Sequence, residues 1–325
     1  SRAKRIKDTV TFDVSSISRW FSKSTIQQLN HLESAINQVK DVEHRRFFMI
    51  CLSNLVKKVS FADPNISVPV KLNPERFSNH TERMELAKFK LKTLENVDVY
   101  DKFENVCQLN INRIDTLKNI YSNKIKSEII SNDARNLTNK LGSQDRLQDE
   151  SVDLILTSPP YAGAQKYIRS SWLNLFWLGT KDSKDIRMLN QKNIGREDYR
   201  KADIHRVITG IKSADSILDS LYNEGKHERA FIVGNYLNEM KLAIDESIRV
   251  LKKNSYMIII IGNNTVCGRP FNTQEYLTTY IKSKGLSLQF KLIDDIKSYG
   301  LMTKRNKTAS RISCEWILVF KKTRL

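Results

Sequence analysis

Five consecutive residues combine hydrogen-bond acceptors, a rigid backbone and an aromatic ring: Thr157, Ser158, Pro159, Pro160 and Tyr161. The Ser158 hydroxyl and the Pro159 carbonyl can each accept a hydrogen bond. The two prolines fix the backbone, so these acceptors need not be ordered when a ligand binds. Tyr161 offers a flat face on which a planar ring can stack. The segment therefore suits a planar ligand that carries an amine.

A nucleobase with an exocyclic amine is a ligand of this kind. The amine is a poor nucleophile, because its lone pair is delocalised into the ring. Acceptors that hold both of its N–H bonds out of the ring plane localise the lone pair and direct it at a methyl donor. The base must first leave the helical stack, and stacking on an aromatic side chain then contributes about 1–3 kcal/mol.

Residues 154–161, Leu-Ile-Leu-Thr-Ser-Pro-Pro-Tyr, resemble the catalytic motif of the DNA methyltransferases that methylate amino groups, (D/N/S)PP(Y/F/W) after a buried strand. The resemblance implies that Ser158, Pro159, Pro160 and Tyr161 are catalytic and that S-adenosyl-L-methionine is the cofactor. The TSPPY form is most similar to the members that methylate cytosine N4, and some adenine-N6 enzymes share it. No cysteine follows a proline, which argues against methylation at carbon 5 through a covalent intermediate.

A second segment, residues 129–137, resembles the part of this family that precedes the catalytic strand. There an acidic residue after a strand lies near the adenosine of the cofactor. The resemblance makes Asp133, Ala134 and Thr157 candidate cofactor-binding residues. Asp133 could instead cap the N-terminus of a helix, because aspartate is common at that position. With a later helix, turn and Ile-rich strand, the resemblance covers residues 126–325.

The glycine-rich turn with which this family binds its cofactor, typically Phe-x-Gly-x-Gly, is missing. The sequence has 11 glycines and no Gly-x-Gly pattern. The order of the motifs places the missing turn upstream of Ser158, where residues 1–123 contain no such pattern. Either the chain is a fragment, or a second polypeptide supplies the turn and the first strands. We favour the second polypeptide, because a sheet without its central strand exposes an edge and an apolar face that must be covered.

The elements that must position these residues indicate an α/β fold. The predicted segments are strands at 128–131, 152–157, 256–261, 287–293 and 313–320, and a helix at about 230–251. The apolar runs have the length and composition of buried parallel strands. We therefore predict a Rossmann-like S-adenosylmethionine-dependent methyltransferase sheet that lacks its N-terminal strands, with ligands at the carboxyl ends of the strands.

The chain divides into two predicted domains. Residues 1–123 form a helical region that connects elements or binds DNA or a partner, and apolar spacing predicts a single helix over 81–123. Residues 124–325 form the C-terminal part of a methyltransferase catalytic domain. Within it, residues 165–229 are predicted to be an insertion that contacts DNA.

The charge balance favours nucleic acid as the partner. The sequence has 54 Lys and Arg against 36 Asp and Glu, a net charge of +18, which attracts a polyanion. No apolar run approaches the roughly 20 residues that span a bilayer, and there is no signal-peptide pattern. We expect double-stranded DNA as partner, no membrane association, and a cytoplasmic protein of a bacterium or archaeon that lies at the nucleoid when bound to DNA.

The basic residues expected to contact DNA lie after the catalytic motif and in a late loop. They should bind phosphates and so confer affinity without sequence preference. The candidates are Lys166, Arg169, Arg196, Arg200, Lys304, Arg305 and Arg311. The spacing of Trp172, Phe176 and Trp177 favours an apolar helix face over base-stacking groups. The cysteines and histidines show no metal-ligand spacing, so no metal site is predicted.

Alternative functions remain open on the same residues. The site would also suit adenine N6, and related motifs occur in enzymes that methylate RNA or a glutamine side chain of a protein. The chain could also be a non-catalytic DNA-recognition subunit that kept the fold and lost the cofactor turn. The intact segment 158–161 argues against this last alternative, because an inactive site need not keep those residues.

Overall fold

The computed structural model describes residues 14–121, 126–162, 167–297 and 312–323. They belong to two compact units, residues 1–126 with 166–192 (unit 1) and residues 127–165 with 193–325 (unit 2). Unit 1 contains α1 (Lys23–Asn37), α2 (Val42–Val56), α3 (Thr81–Glu95), α4 (Val99–Ile120), α5 (Tyr167–Trp177) and α6 (Ser183–Lys192). Unit 2 contains β1 (Val152–Thr157), α7 (Lys212–Asn223), α8 (His227–Val250), β2 (Leu251–Ile261), β3 (Asn264–Val266), β4 (Arg269–Phe271), α9 (Thr273–Ser283), β5 (Leu286–Asp295) and β6 (Cys314–Lys322).

Unit 1 is helical, as predicted, but the single helix predicted over 81–123 is wrong. Helix α3 ends at Glu95, and a new helix, α4, begins after its N-cap residue Asp98. The Asp98 carboxylate accepts hydrogen bonds from the backbone N–H groups of Tyr100 (2.9 Å) and Asp101 (3.2 Å). An N-cap of this kind satisfies donors that the first turn of a helix leaves free. None of the helices in the described ranges is long and apolar enough to cross a membrane.

The predicted insertion at 165–229 is divided between the two units. Its aromatic residues form an apolar helix face on α5, as predicted, with Trp177 fully buried in the core of unit 1. The Trp177 ring packs edge-on against Phe21 at 5.9 Å, and the Asn174 amide donates to the Ser53 carbonyl at 2.8 Å. These contacts group residues 166–192 with the helical unit, whereas 193–229 belong to the unit that carries the sheet.

The main sheet of unit 2 has the order β1-β2-β6-β5. Strands β1 and β2 are parallel, and β6 runs antiparallel to both of its neighbours. The strands predicted at 152–157, 256–261, 287–293 and 313–320 are therefore confirmed. The core lies between one face of this sheet and the helices α7, α8 and α9, where Met257, Ile259, Leu318 and Phe320 are buried.

Among the described residues, no helix packs on the opposite face of the sheet, and several of its apolar side chains are exposed. Leu154 and Leu156 of β1 are 53% and 65% exposed, and Phe290 and Leu292 of β5 are 61% and 53% exposed. The strand register places these side chains on the same face. The prediction of a strand at 152–157 buried on both faces is thus wrong for this chain, because the helices cover one face only. Within the described ranges β1 pairs with β2 alone, so its other edge is also open.

The strand predicted at 128–131 is wrong. These residues form no strand, and Ile129 is 74% exposed. An extended segment needs a neighbouring strand to satisfy its backbone groups, and no described strand pairs with this one. The segment is held locally instead, where the Thr138 hydroxyl donates to the Ile130 carbonyl at 2.8 Å.

A buried ammonium fixes the junction of α8 and β2. Lys322 of β6 is 2% exposed, and its Nζ donates to the carbonyls of Ile248 (2.9 Å) and Leu251 (2.7 Å). Carbonyls at the end of a helix lack intrahelical donors. Lys322 therefore supplies donors that the change from helix to strand requires.

Replacement of Lys322 by Met should lower the free energy of unfolding by about 1.5–3 kcal/mol, because two buried carbonyls lose a charged donor. Urea unfolding followed by circular dichroism measures this change. Lys321→Met is the matched control, since Lys321 is only half-buried on the same strand. Equal effects of the two substitutions would contradict the role assigned to Lys322.

Candidate catalytic site

The predicted catalytic motif begins at the carboxyl end of β1. Thr157 and Ser158 are exposed, Pro159 is buried and Pro160 is half-buried. The Ser158 hydroxyl is thus accessible at the edge of the sheet where ligands of parallel strands bind. The prolines stop the strand, because a proline nitrogen has no hydrogen to donate to a ladder.

Two side chains from other elements hold the turn that follows. The Tyr236 hydroxyl donates to the Pro160 carbonyl at 2.8 Å, and the Asn264 amide donates to the Ala162 carbonyl. Tyr236 lies fully buried on α8 and Asn264 begins β3. These donors satisfy carbonyls that have no place in a helix or sheet. The sequence analysis missed both residues, because nothing local to either one indicates so distant a partner.

Tyr161 is buried, with 9% of its surface exposed. Its hydroxyl donates to Oε1 of Glu315 on β6. Its ring lies against Gly262, the residue that follows β2: a Cβ at that position would lie 3.4 Å from Tyr161 Cζ. Glu315 was also missed by the sequence analysis. Gly262, directly after an apolar strand, could have indicated the contact with Tyr161, because a glycine there often marks the close approach of another group.

The segment that resembles the cofactor-binding region is anchored by ion pairs. Asp133 accepts hydrogen bonds from the backbone N–H of Arg135 and from its guanidinium, each at 2.9 Å. This pairing raises the pKa of Arg135. No helix starts here, so Asp133 stabilises a turn and the alternative of a helix N-cap is wrong. Ala134 is exposed beside it.

Glu239 of α8 connects this segment to a second turn. Its Oε1 lies 3.4 Å from a guanidinium nitrogen of Arg135, and its Oε2 accepts the backbone N–H of Gly195 at 3.4 Å. Burial raises the pKa of Glu239, and the charge of Arg135 opposes that rise. Gly195 has φ +78°, and a Cβ there would lie 3.5 Å from the Tyr161 carbonyl oxygen. The turn at 193–196 therefore lies beside the catalytic motif.

The predicted DNA-contacting residues are not brought together by the described contacts. Arg196 stacks over the Tyr199 ring at 3.9 Å, and its Nε is buried without a hydrogen-bond partner among the described residues. Arg200 is exposed and pairs with Asp203 at 2.9 Å. Arg169 lies on α5 in unit 1, half-buried. The remaining candidates, Lys166, Lys304, Arg305 and Arg311, fall outside the described residues.

Tyr236→Phe should lower the free energy of unfolding by about 1–3 kcal/mol, because the Pro160 carbonyl loses its donor in a buried setting. Urea unfolding measures the change. Tyr222→Phe is the matched control, since the Tyr222 hydroxyl makes no hydrogen bond to a described residue and its ring stacks on His227. If both variants unfold like the wild type, the Tyr236 hydroxyl does not hold the turn.

Comparisons with known proteins identify the family of the chain. The profile of the DNA methylase family, N6_N4_Mtase, matches residues 152–325. Type II methyltransferase M.MvaI of Kocuria varians is 28% identical over 266 residues, which cover 78% of this chain and 54% of M.MvaI. Type II methyltransferase M.BsoBI of Geobacillus stearothermophilus is 25% identical over 197 residues, 53% of this chain and 37% of that protein. The chain thus spans about half or less of the length of these relatives.

Among solved structures, the DNA modification methylase TTHA0409 of Thermus thermophilus, complexed with S-adenosyl-L-methionine, aligns at 16% identity and a TM-score of 0.27. The alignment covers 55% of this chain and 51% of that one, a likeness too slight to carry weight. The profile match covers more than half of the chain: it starts at the first residue of β1 and includes the predicted catalytic motif, β2, β5 and β6. By its sequence from β1 onward, this chain belongs to the DNA methylase family.

Proposed function

We propose that this chain carries the catalytic motif of an S-adenosyl-L-methionine-dependent DNA methyltransferase that methylates the N4 amine of a flipped cytosine. The observation that carries the proposal is the accessible Ser158 hydroxyl at the carboxyl end of β1, in a turn held by Tyr236. Family membership supports the amino group as the target. The serine at the first position of the motif supports cytosine N4, and adenine N6 is the alternative on the same site.

The residues of this chain would act on the base by binding and orienting it. The Ser158 hydroxyl and the Pro159 carbonyl accept the two N–H bonds of the amine and localise its lone pair on nitrogen. Pro160 keeps both acceptors in place without a cost in ordering. Tyr161 is buried, with 9% of its surface exposed, so its part is to hold the turn in place, and it offers a base little surface for stacking. The cofactor supplies an electrophilic methyl group, which the amine receives directly.

The described residues could supply only part of a site for this cofactor. Thr157 and Ala134 are exposed and offer a hydroxyl and a small side chain, whereas the Asp133 carboxylate is occupied by Arg135. The whole sequence has no Gly-x-Gly pattern to approach the cofactor closely. We therefore propose that these residues line part of the cofactor site and that a glycine-rich turn from outside this sequence completes it.

A second polypeptide is the proposed source of that turn. The open edge of β1 can pair with a further strand, and the exposed Leu154 and Leu156 beside it can be buried by an added layer. The chain covers 54% of the length of M.MvaI, which leaves room in a complete enzyme for the missing elements. A further segment of the same polypeptide is the alternative source.

The proposed substrate is double-stranded DNA. The net charge of +18 supports a polyanionic partner, and Arg196, Arg200, Arg169, Lys166 and the late-loop residues Lys304, Arg305 and Arg311 remain the proposed contacts. Residues 124–325 are proposed as the C-terminal part of the catalytic domain, with residues 1–123 connecting elements or binding DNA or a partner. Because the relatives are type II methyltransferases, we propose restriction-modification in a bacterial cytoplasm as the setting.

Methyl transfer from labelled S-adenosyl-L-methionine to unmethylated DNA, followed by nucleoside analysis, tests the function. We expect N4-methylcytosine from the chain combined with the polypeptide that carries the glycine-rich turn, and none from the chain alone. Ser158→Ala should lower the rate by about 100-fold or more, because an acceptor aimed at the reacting amine is lost. Ser216→Ala, on the exposed side of α7, is the control. N6-methyladenine as product would reject cytosine, and no transfer despite DNA binding would favour the recognition-subunit alternative.

Leu156→Lys tests the proposed assembly. Leu156 is 65% exposed, so the substitution should change the stability of the isolated chain by less than about 0.5 kcal/mol. In the assembled enzyme the lysine would be buried beside a new strand, and binding of the second polypeptide and of cofactor should be lost. Analytical ultracentrifugation and equilibrium dialysis measure the two.

Leu242→Lys is the matched control, because Leu242 is a 55% exposed leucine on α8. It should assemble like the wild type. Normal assembly of Leu156→Lys, or stoichiometric cofactor binding by the chain alone, would overturn the proposed partner.

A further inference from the structure

The ring of Tyr161 crosses the carboxyl end of the sheet. It starts from the turn after β1, passes Gly262 behind β2, and ends with its hydroxyl on Glu315 of β6. Because β2 lies between β1 and β6 in the sheet, the ring reaches over the middle strand. Three strand ends therefore determine the position of one aromatic side chain.

The Tyr161 ring packs closely on Gly262. A Cβ there would lie 3.0 Å from Ile312 Cγ2 and 3.4–3.5 Å from two ring atoms of Tyr161. The first distance is tighter than ordinary packing permits, so a larger residue must displace Ile312, whereas the ring atoms lie at ordinary contact distance. Contact with Gly262 thus limits one side of the ring, and the hydrogen bond to Glu315 holds its hydroxyl end.

Glu315 occupies an electrostatically unfavourable position. In the register of β5 and β6 it lies directly opposite Asp294, on the same face of the sheet. Like charges at directly opposite positions of an antiparallel pair are destabilising. Asp294 is exposed, and of the two carboxylates it is Glu315 that accepts the Tyr161 hydroxyl. The hydrogen bond from Tyr161 therefore stabilises a carboxylate that the neighbouring charge disfavours.

We propose that Glu315 is a positioning residue, which anchors the Tyr161 hydroxyl and thereby holds the turn that carries Ser158 and Pro159. This inference rests on the proposed function for its catalytic consequence, whereas the position of the ring can be tested without it. A carboxylate that accepts from the phenol fixes the hydroxyl end of the ring and therefore its first side-chain torsion. The hydroxyl lies on the axis of the second torsion, so the plane of the ring depends on its packing. With the turn held in advance, base binding need not order it.

Fluorine NMR of the full chain with 3-fluorotyrosine placed only at position 161 tests the position of the ring. Wild type and Asp294→Asn should give one resonance shifted from that of free fluorotyrosine. Glu315→Ala should move it toward the free value, and Glu315→Gln, which keeps an acceptor, should restore most of the shift. Circular dichroism confirms that each variant is folded. An unchanged resonance in Glu315→Ala overturns the proposal whether or not the protein methylates DNA.

Kinetics of the assembled enzyme test the consequence. Glu315→Ala should lower kcat/KM for DNA by about tenfold, because the acceptors carried by the same turn lose part of their alignment. Glu315→Gln should stay within about threefold of wild type, and Asp294→Asn should match wild type. Tyr161→Phe with Glu315→Ala should lose no more than Glu315→Ala alone, because the two groups act through one hydrogen bond. Additive losses would reject the coupling. A shifted resonance without methyl transfer by any version would reject the proposed function and leave the positioning role standing.

Discussion

Helix α8 holds the candidate site together through polar side chains on one side of an otherwise buried surface. Tyr236 binds the catalytic turn, Glu239 binds Arg135 and the turn at 193–196, and Glu246 accepts the backbone N–H of Leu137 at 3.3 Å. Residues three and ten positions apart on a helix lie on nearly the same side. One helix thus determines the relative positions of the catalytic motif and of the segment that resembles a cofactor-binding region.

These polar groups are costly to bury, so each is stable only with its partners in place, and the contacts therefore specify one arrangement. The raised pKa of Glu239 reflects the loss of water around its carboxylate, and Arg135 offsets that loss by its charge. Arg135 is in turn held by Asp133 in a two-pronged ion pair. Removal of Arg135 would take from both carboxylates the charge that offsets their burial. The arrangement therefore tolerates little displacement of α8. The turn at 193–196 is held in the same way, because the backbone N–H of Gly195 donates to Glu239.

The sequence predicts the strands of unit 2 well and the contacts of the site poorly, for physical reasons. An apolar run ended by prolines or glycine is local information, and β1 and β2 follow from it. The donor to the Pro160 carbonyl lies 76 residues away and the acceptor of Tyr161 lies 154 residues away, so only the fold reveals them. The wrong strand at 128–131 has a similar cause, because a strand also needs a neighbour that the pattern of one segment does not specify. The break before α4 was readable, since Asp98 is a good N-cap residue.

The exposed apolar side chains of β1 lie next to the predicted catalytic motif, so a partner that covers them would bind beside the site. Leu154 and Leu156 alternate along the strand whose last residue leads into Ser158. Full burial of a leucine contributes about 1.5–3 kcal/mol, so a layer that covers this strand gains much of its binding energy next to the catalytic motif. The same layer would order the open edge of β1, where the proposed glycine-rich turn must reach Thr157. Base-binding groups held by α8 and a cofactor turn supplied at the edge of β1 would then meet only in the assembled enzyme, and methyl transfer would depend on assembly.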